Sequence, residues 1–174
     1  MDRTLGWMGI LRLGLVQTAI GSIVVLVTAT LNRVMVVELS MAAIVPGLLV
    51  GLHYGVQMLR PVWGHASDVG GRRTRWIIGG VALLGLGAAG ASLAVAVMSQ
   101  NMALGLFLAF LDFVLIGIGV GAAGTSLLAL LASTVAPTRR PAAATIVWLM
   151  MIAGMAVTAT IAGGMLEPFS FGRL

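Results

Sequence analysis

Five stretches of this chain run for about twenty residues or more with almost no charge, and nothing else constrains its fold as strongly. A helix needs ~20 apolar residues to cross the hydrocarbon core of a bilayer. The stretches fall at residues 13–37, 42–62, 76–97, 104–134 and 142–164, the second interrupted by Pro46. Composition agrees. Of 174 residues, ten are basic and five acidic; 60% are hydrophobic and 9% charged. A water-soluble domain carries about a quarter charged residues, because most of its surface must face water. A soluble enzyme, a nucleic-acid-binding domain and a disordered linker are therefore excluded, and the lipid bilayer is the expected surrounding. The expected fold is an all-α integral membrane protein, with about five transmembrane helices in one bundle.

The basic excess then reports topology rather than nucleic acid. The stretch from Met102 to Val135 is the ambiguous one. Its length corresponds to about 51 Å of helix, long for one crossing, whereas two crossings and a turn need ~40 residues. Arginine placement decides between them. With five crossings and a cytoplasmic N-terminus, Arg3, Arg12, Arg60, Arg72, Arg73, Arg75, Arg139 and Arg140 lie inside; only Arg33 and Arg173 lie outside. Splitting the stretch would move Arg139 and Arg140 outside, so one long helix is expected. Trp7, Trp63 and Trp76 then fall near the inner interface, where amphipathic rings settle. Short connections around Glu38 and Ser40, and around Ser99 to Asn101, make the helices they join antiparallel neighbours. Cysteine is absent, which excludes disulfides and thiolate metal sites. The first apolar run is longer than the core of a cleavable signal.

The chain holds 24 glycines, most of them inside the spans. Lipid supplies no hydrophobic drive between helices, so close backbone approach must hold them together. Gly79, Gly80, Gly85, Gly87 and Gly90 lie in the third stretch, with Ala91 four residues after Gly87. Gly117, Gly119, Gly121 and Gly124 lie in the fourth, and Gly117 with Gly121 forms a GxxxG pair. Gly154 and Thr158 mark the fifth. Packing is one reading of these faces; rocking of helices during transport is the other.

Between the second and third stretches stands Gly64-His65-Ala66-Ser67-Asp68-Val69-Gly70-Gly71-Arg72-Arg73. This is expected to be a tight inner loop with a built-in ion pair. Gly70 and Gly71 would allow positive φ. Asp68 would accept from an arginine or cap the next helix. A purely topogenic, arginine-rich loop is the plainer reading.

The spacing and place of Gly64, Asp68, Gly71, Arg72 and Arg73 resemble the signature between helices 2 and 3 of the major facilitator superfamily, with Ala66 where a leucine is familiar. Segments at 11–18, 30–39, 59–68 and 139–148 resemble one branch of it more closely, the PucC/LhaA-type bacteriochlorophyll delivery family of phototrophic bacteria. The resemblance covers essentially the whole chain. It implies the N-terminal half of a twelve-helix protein, and thus a fragment unless a second chain completes the bundle. It implies a latch role for the Gly64–Arg73 segment in alternating access. It implies an assembly factor for light-harvesting antenna complexes, with antenna subunits as partners and bacteriochlorophyll as bound cargo, in the bacterial inner, intracytoplasmic photosynthetic membrane. The superfamily signature alone would fit half of a small-solute transporter. A third reading is a structural partner that docks on antenna helices and moves nothing.

Polar residues inside the membrane are costly, so each is a functional candidate. Asp112 sits about ten residues into the fourth stretch, and Arg33, near the outer end of the first, is its natural partner. In the superfamily the helices carrying them both line the central cavity. A hydrated Asp112 at the outer surface is the alternative. His53, midway along the second stretch, could ligate the magnesium of a chlorin or hydrogen-bond a neighbouring helix. His65 is expected at the interface. Gln17, Thr18, Ser22, Thr28, Thr30 and Asn32 give the first helix a loose polar stripe, suited to lining a cavity or to bonding other helices. No metal-ligand, phosphate-loop or nucleophile pattern is visible, and the expectation is a protein that is not an enzyme.

Overall fold

The computed structural model describes residues 4–70, 72–167 and 169–170, and these are helical with short connections. Helix α1 spans Trp7–Val25 and continues in π-helical turns over Leu26–Leu31 and Val34–Glu38. Helix α2 (Ile44–Val56) passes through a 3₁₀ turn, Gln57–Leu59, into α3 (Arg60–Val69). Helices α4 (Arg73–Met98), α5 (Met102–Thr134) and α6 (Arg140–Met165) follow. Among the described residues, four helical rods are long and apolar enough to cross a membrane: Trp7–Glu38, Arg73–Met98, Met102–Thr134 and Pro137–Met165. The stretch from Met102 is thus a single helix of 33 residues.

The second expected crossing differs, because it is a broken rod rather than one helix. Pro46 is not the breaker; it sits in the first turn of α2, where its missing N–H costs nothing. The break lies at Gln57–Leu59, and Pro61 explains it. A proline at 61 has no N–H to give the carbonyl of Gln57 four residues back, and its ring crowds that carbonyl. The Arg60 N–H turns to Gln57 O in a tighter turn instead.

The segment expected as a loop from Gly64 is also mostly helix. Helix α3 runs to Val69, and the Gly70 N–H bonds Ala66 O at 3.1 Å. Gly70 is right-handed, with φ −73°, so the positive φ expected there is not needed. Gly71 lies outside the described residues.

Helix α5 forms the middle of the bundle and packs on α4, α2, α3 and α1, while α6 leans mainly on α1. The α4–α5 contact is the most extensive, and glycine makes it possible. A Cβ on Gly80 would stand 2.6 Å from the Ala123 backbone nitrogen, and one on Gly119 2.6 Å from that of Leu84. Gly79 and Gly85 face open space, so the third stretch contributes only part of its glycines to packing. Gly117 and Gly121 receive the broken rod, meeting His53 O and the Trp63 indole. Ile20, Leu84, Phe113 and Ile116 lie in one core cluster, and Ile10, Leu127, Leu131 and Val147 in a second. Leu15, Leu48, Ile78, Leu86, Leu93 and Phe107 are exposed, as lipid-facing side chains are.

One end of the bundle gathers Arg73, Arg139 and Arg140 with the rings of Trp7, Trp63 and Trp76. Leu5 N–H donates to Thr134 O at 2.8 Å, and the Arg139 guanidinium lies 5.6 Å from the Trp7 ring centre. Arg140 bonds Val135 O, and the Trp63 and Trp76 rings are 6.4 Å apart.

Candidate functional site

Two places combine buried or paired polar groups. The first is the short turn between α3 and α4. Arg73 opens α4 and reaches back to Asp68, with Nη2–Oδ1 at 2.8 Å and Nε–Oδ1 at 3.0 Å. Its Nη1 donates to Ala129 O at 3.1 Å and to the Ser133 hydroxyl, both near the end of α5. One guanidinium therefore ties α3, α4 and α5 together. Arg72 caps α4 in a non-helical conformation beside this cluster. Gly64 lets α3 approach α5: a Cβ there would lie 3.3 Å from the Thr125 methyl. Of the five residues singled out in this segment, the structure brings Asp68 and Arg73 into contact, with Arg72 beside them, while Gly64 packs separately on Thr125 and Gly71 lies outside the described residues.

The second place is a cavity of about 230 Å³ bounded by α1, the α2–α3 break, α5 and α6. Ile20, Val24, Val120 and Leu128 make much of its wall apolar. Gln17, His53, Gln57 and Arg60 supply its polar groups. His53, fully buried, stands one turn before the break, and its Nε2 lies 2.8 Å from the Gln57 amide nitrogen. Gln57 Oε1 accepts from Arg60 Nη2. An arginine only donates, so Oε1 must face Arg60 and the amide NH₂ must face His53. His53 Nε2 is then the acceptor, and the proton is assigned to Nδ1. Across the cavity, Gln17 donates from Nε2 to Met151 Sδ at 3.3 Å. Gln17 Oε1 and His53 Nδ1 are both buried without a partner.

This network bears directly on His53 as a pigment contact. A magnesium ligand must offer a free lone pair. The Nε2 lone pair is engaged by Gln57, and Nδ1 carries the proton. His53 is placed instead as a hydrogen-bonding residue, and its partner is on its own rod rather than a neighbouring helix.

The structure does not join Arg33 to Asp112. Arg33 is exposed between the two π-helical turns, and Arg73–Asp68 is the one ion pair among the described residues. Asp112 points across the α4–α5 contact, its carboxyl group packed against Gly90. The polar stripe of α1 splits. Gln17 and Ser22 meet α6, Ser22 accepting from Thr158 at 2.9 Å, while Thr18 and Thr28 bond carbonyls four residues back.

Gln57 was not singled out in the sequence, and Arg60 only as one of the inside arginines. A signal was there, since His53, Gln57 and Arg60 follow i, i+4, i+7 spacing, which stacks side chains on one helical face. Trp63 Nε1 and Ser126 Oγ are further buried, unpartnered polar atoms that spacing does not reveal.

Long apolar helical rods, four of them among the described residues, define an all-α, multi-pass membrane protein. Residues 30–174 match the family model described as PUCC protein, and the chain belongs to that family. It is 57% identical over 171 residues to the "Bacteriochlorophyll synthase 44.5 kDa chain" of Rhodobacter capsulatus, covering 98% of this chain and 40% of that protein. It is 34% identical over 178 residues to "Protein PucC" of Rhodovulum sulfidophilum, covering 95% of this chain and 39% of that protein. A further relative, 32% identical over 97% of this chain and 37% of its own length, is the "Uncharacterized protein in puhA-bchM intergenic region" of Rhodobacter capsulatus. The chain thus spans about 40% of the length of these curated relatives. No solved structure matches it. The protein is a photosynthesis-related, multi-pass bacterial membrane protein.

Proposed function

We propose that this protein is a membrane assembly factor for light-harvesting antenna complexes, delivering or shielding bacteriochlorophyll or antenna polypeptides. The observation that carries the reading is the family match along 30–174, together with a relative whose printed name ties it to bacteriochlorophyll. The shape of the bundle suits the role. Helix α6 leaves Leu149, Ile152, Val157, Ile161 and Met165 exposed, an apolar surface broad enough to meet another apolar helix or a pigment tail. Antenna subunits are the proposed partners, and the proposed setting is the photosynthetic inner membrane with a cytoplasmic N-terminus. The arginine-rich end carrying Arg73, Arg139 and Arg140 supports that orientation. The activity is proposed for the whole protein, with the remainder of the bundle supplied by further chain or by a partner.

The role is proposed to be non-enzymatic. The word "synthase" in the name of one relative supplies the rival reading, and gene deletion separates the two. Loss of an assembly factor leaves bacteriochlorophyll made but antenna complexes missing; loss of a synthase component removes the pigment itself. Affinity purification from pigmented membranes is the direct test. Antenna polypeptide or bacteriochlorophyll should co-purify, and recovery of neither defeats the proposal. The cavity favours a second reading, half of a small-solute transporter kin to the major facilitators, which solute counterflow in proteoliposomes would reveal.

A further inference from the structure

We infer that the cavity between α1, the α2–α3 break, α5 and α6 is a binding site for a carboxylate. Arg60 lines it and donates to Gln57, an uncharged partner, so its positive charge is not neutralised by an acid. None of the described acidic residues lines the space: Asp68 is bound to Arg73, and Asp112 faces Gly90. An arginine with free N–H groups beside a low-dielectric wall favours an anion, and its planar fork matches a carboxylate.

Two further lining residues are built for a polar guest rather than for empty space. Gln17 is 6% exposed and His53 0%, and each holds a polar atom without a partner. An unpaired buried donor or acceptor is costly, and a ligand or the water it brings can pair it. The rest of the wall, including Ile20, Val24 and Val120, is apolar. Charge at one edge and hydrocarbon beyond it suit a carboxylic acid with a carbon chain, long or short. Such a carboxylate has two sources, a membrane amphiphile or a short soluble acid, and both present the same group to Arg60. The inference concerns the cavity alone and does not depend on the assembly role.

Trp148 lines the cavity and provides the reporter. A bromine within contact distance quenches indole fluorescence. The test uses the full chain purified in detergent, with dibromostearate as the membrane amphiphile and 3-bromopropionate as the soluble acid. Saturable quenching that disappears in Trp148→Phe is expected from at least one of them. Quenching by dibromostearate alone identifies the amphiphile as the source; quenching by bromopropionate identifies the soluble acid. The methyl ester of each active acid should bind about tenfold more weakly or worse, the loss of a charge-assisted contact. Arg60→Gln should weaken the acid similarly, and Arg60→Lys should retain part of it. The acid–ester comparison needs no variant, so misfolding of Arg60→Gln does not blunt the test. Equal quenching by acid and ester, or no saturable quenching of Trp148 by either acid, overturns the inference.

Discussion

The Gln57 amide nitrogen lies 2.8 Å from His53 Nε2, and this single contact fixes which imidazole nitrogen carries the proton. It does so because Arg60 already claims the other end of the amide. ¹⁵N spectra of histidine-labelled protein should therefore show one histidine in the Nδ1-protonated form. Gln57→Leu removes the partner and leaves His53 buried with an unpaired acceptor, a loss of about 1–3 kcal/mol read as a lower melting temperature in detergent. An Nε2-protonated His53 would refute the network.

The Asp68–Arg73 pair is partly exposed, with side chains 27% (Arg73) and 54% (Asp68) accessible, so its own coupling is small. Asp68→Ala is expected to cost ~0.5 kcal/mol. Arg73→Ala also loses Ala129 O and the Ser133 hydroxyl, and should cost about 1–2 kcal/mol. Thermal melts of both variants decide it; equal losses would mean that the α5 contacts contribute nothing.

Glycines on one helix should behave in two ways. Gly80→Ala puts a Cβ 2.6 Å from the Ala123 nitrogen and forces α4 from α5, a cost of about 1–3 kcal/mol. Gly79→Ala and Gly85→Ala meet nothing and should be neutral or stabilising by up to ~1 kcal/mol. Similar losses at all three positions would contradict the packing described for α4 and α5.

Arg33→Gln and Asp112→Asn should have additive effects, within ~0.5 kcal/mol, because the two residues share no contact. A coupling above ~1 kcal/mol in a double-mutant cycle would show that they do meet in the membrane.

Much of the fold was legible along the chain. Apolar length identified all four long rods, and the arginine distribution kept Met102–Thr134 as one helix. These are properties of consecutive residues, which a bilayer reads one span at a time. The break in the second crossing was legible too, once Pro61 rather than Pro46 is weighed against the carbonyl four residues back.

The candidate site was legible only in part. Asp68 and Arg73 are close in sequence, so their pairing follows from a short turn. His53, Gln57 and Arg60 share a helical face and could be grouped by spacing. What no spacing could supply is which helix faces which. Arg33 and Asp112 complement each other in charge, yet rotation of α1 turns one outward while α5 presents the other to Gly90. Likewise, only the docking of α6 on α1 brings Trp148 and Met151 opposite His53 and closes the cavity. The sequence by itself determined the membrane class, the long spans and the arginine-rich end, because hydrophobic length and charge act locally. The tertiary structure alone decided the helix rotations, since these depend on glycine-permitted contacts between residues far apart in the chain.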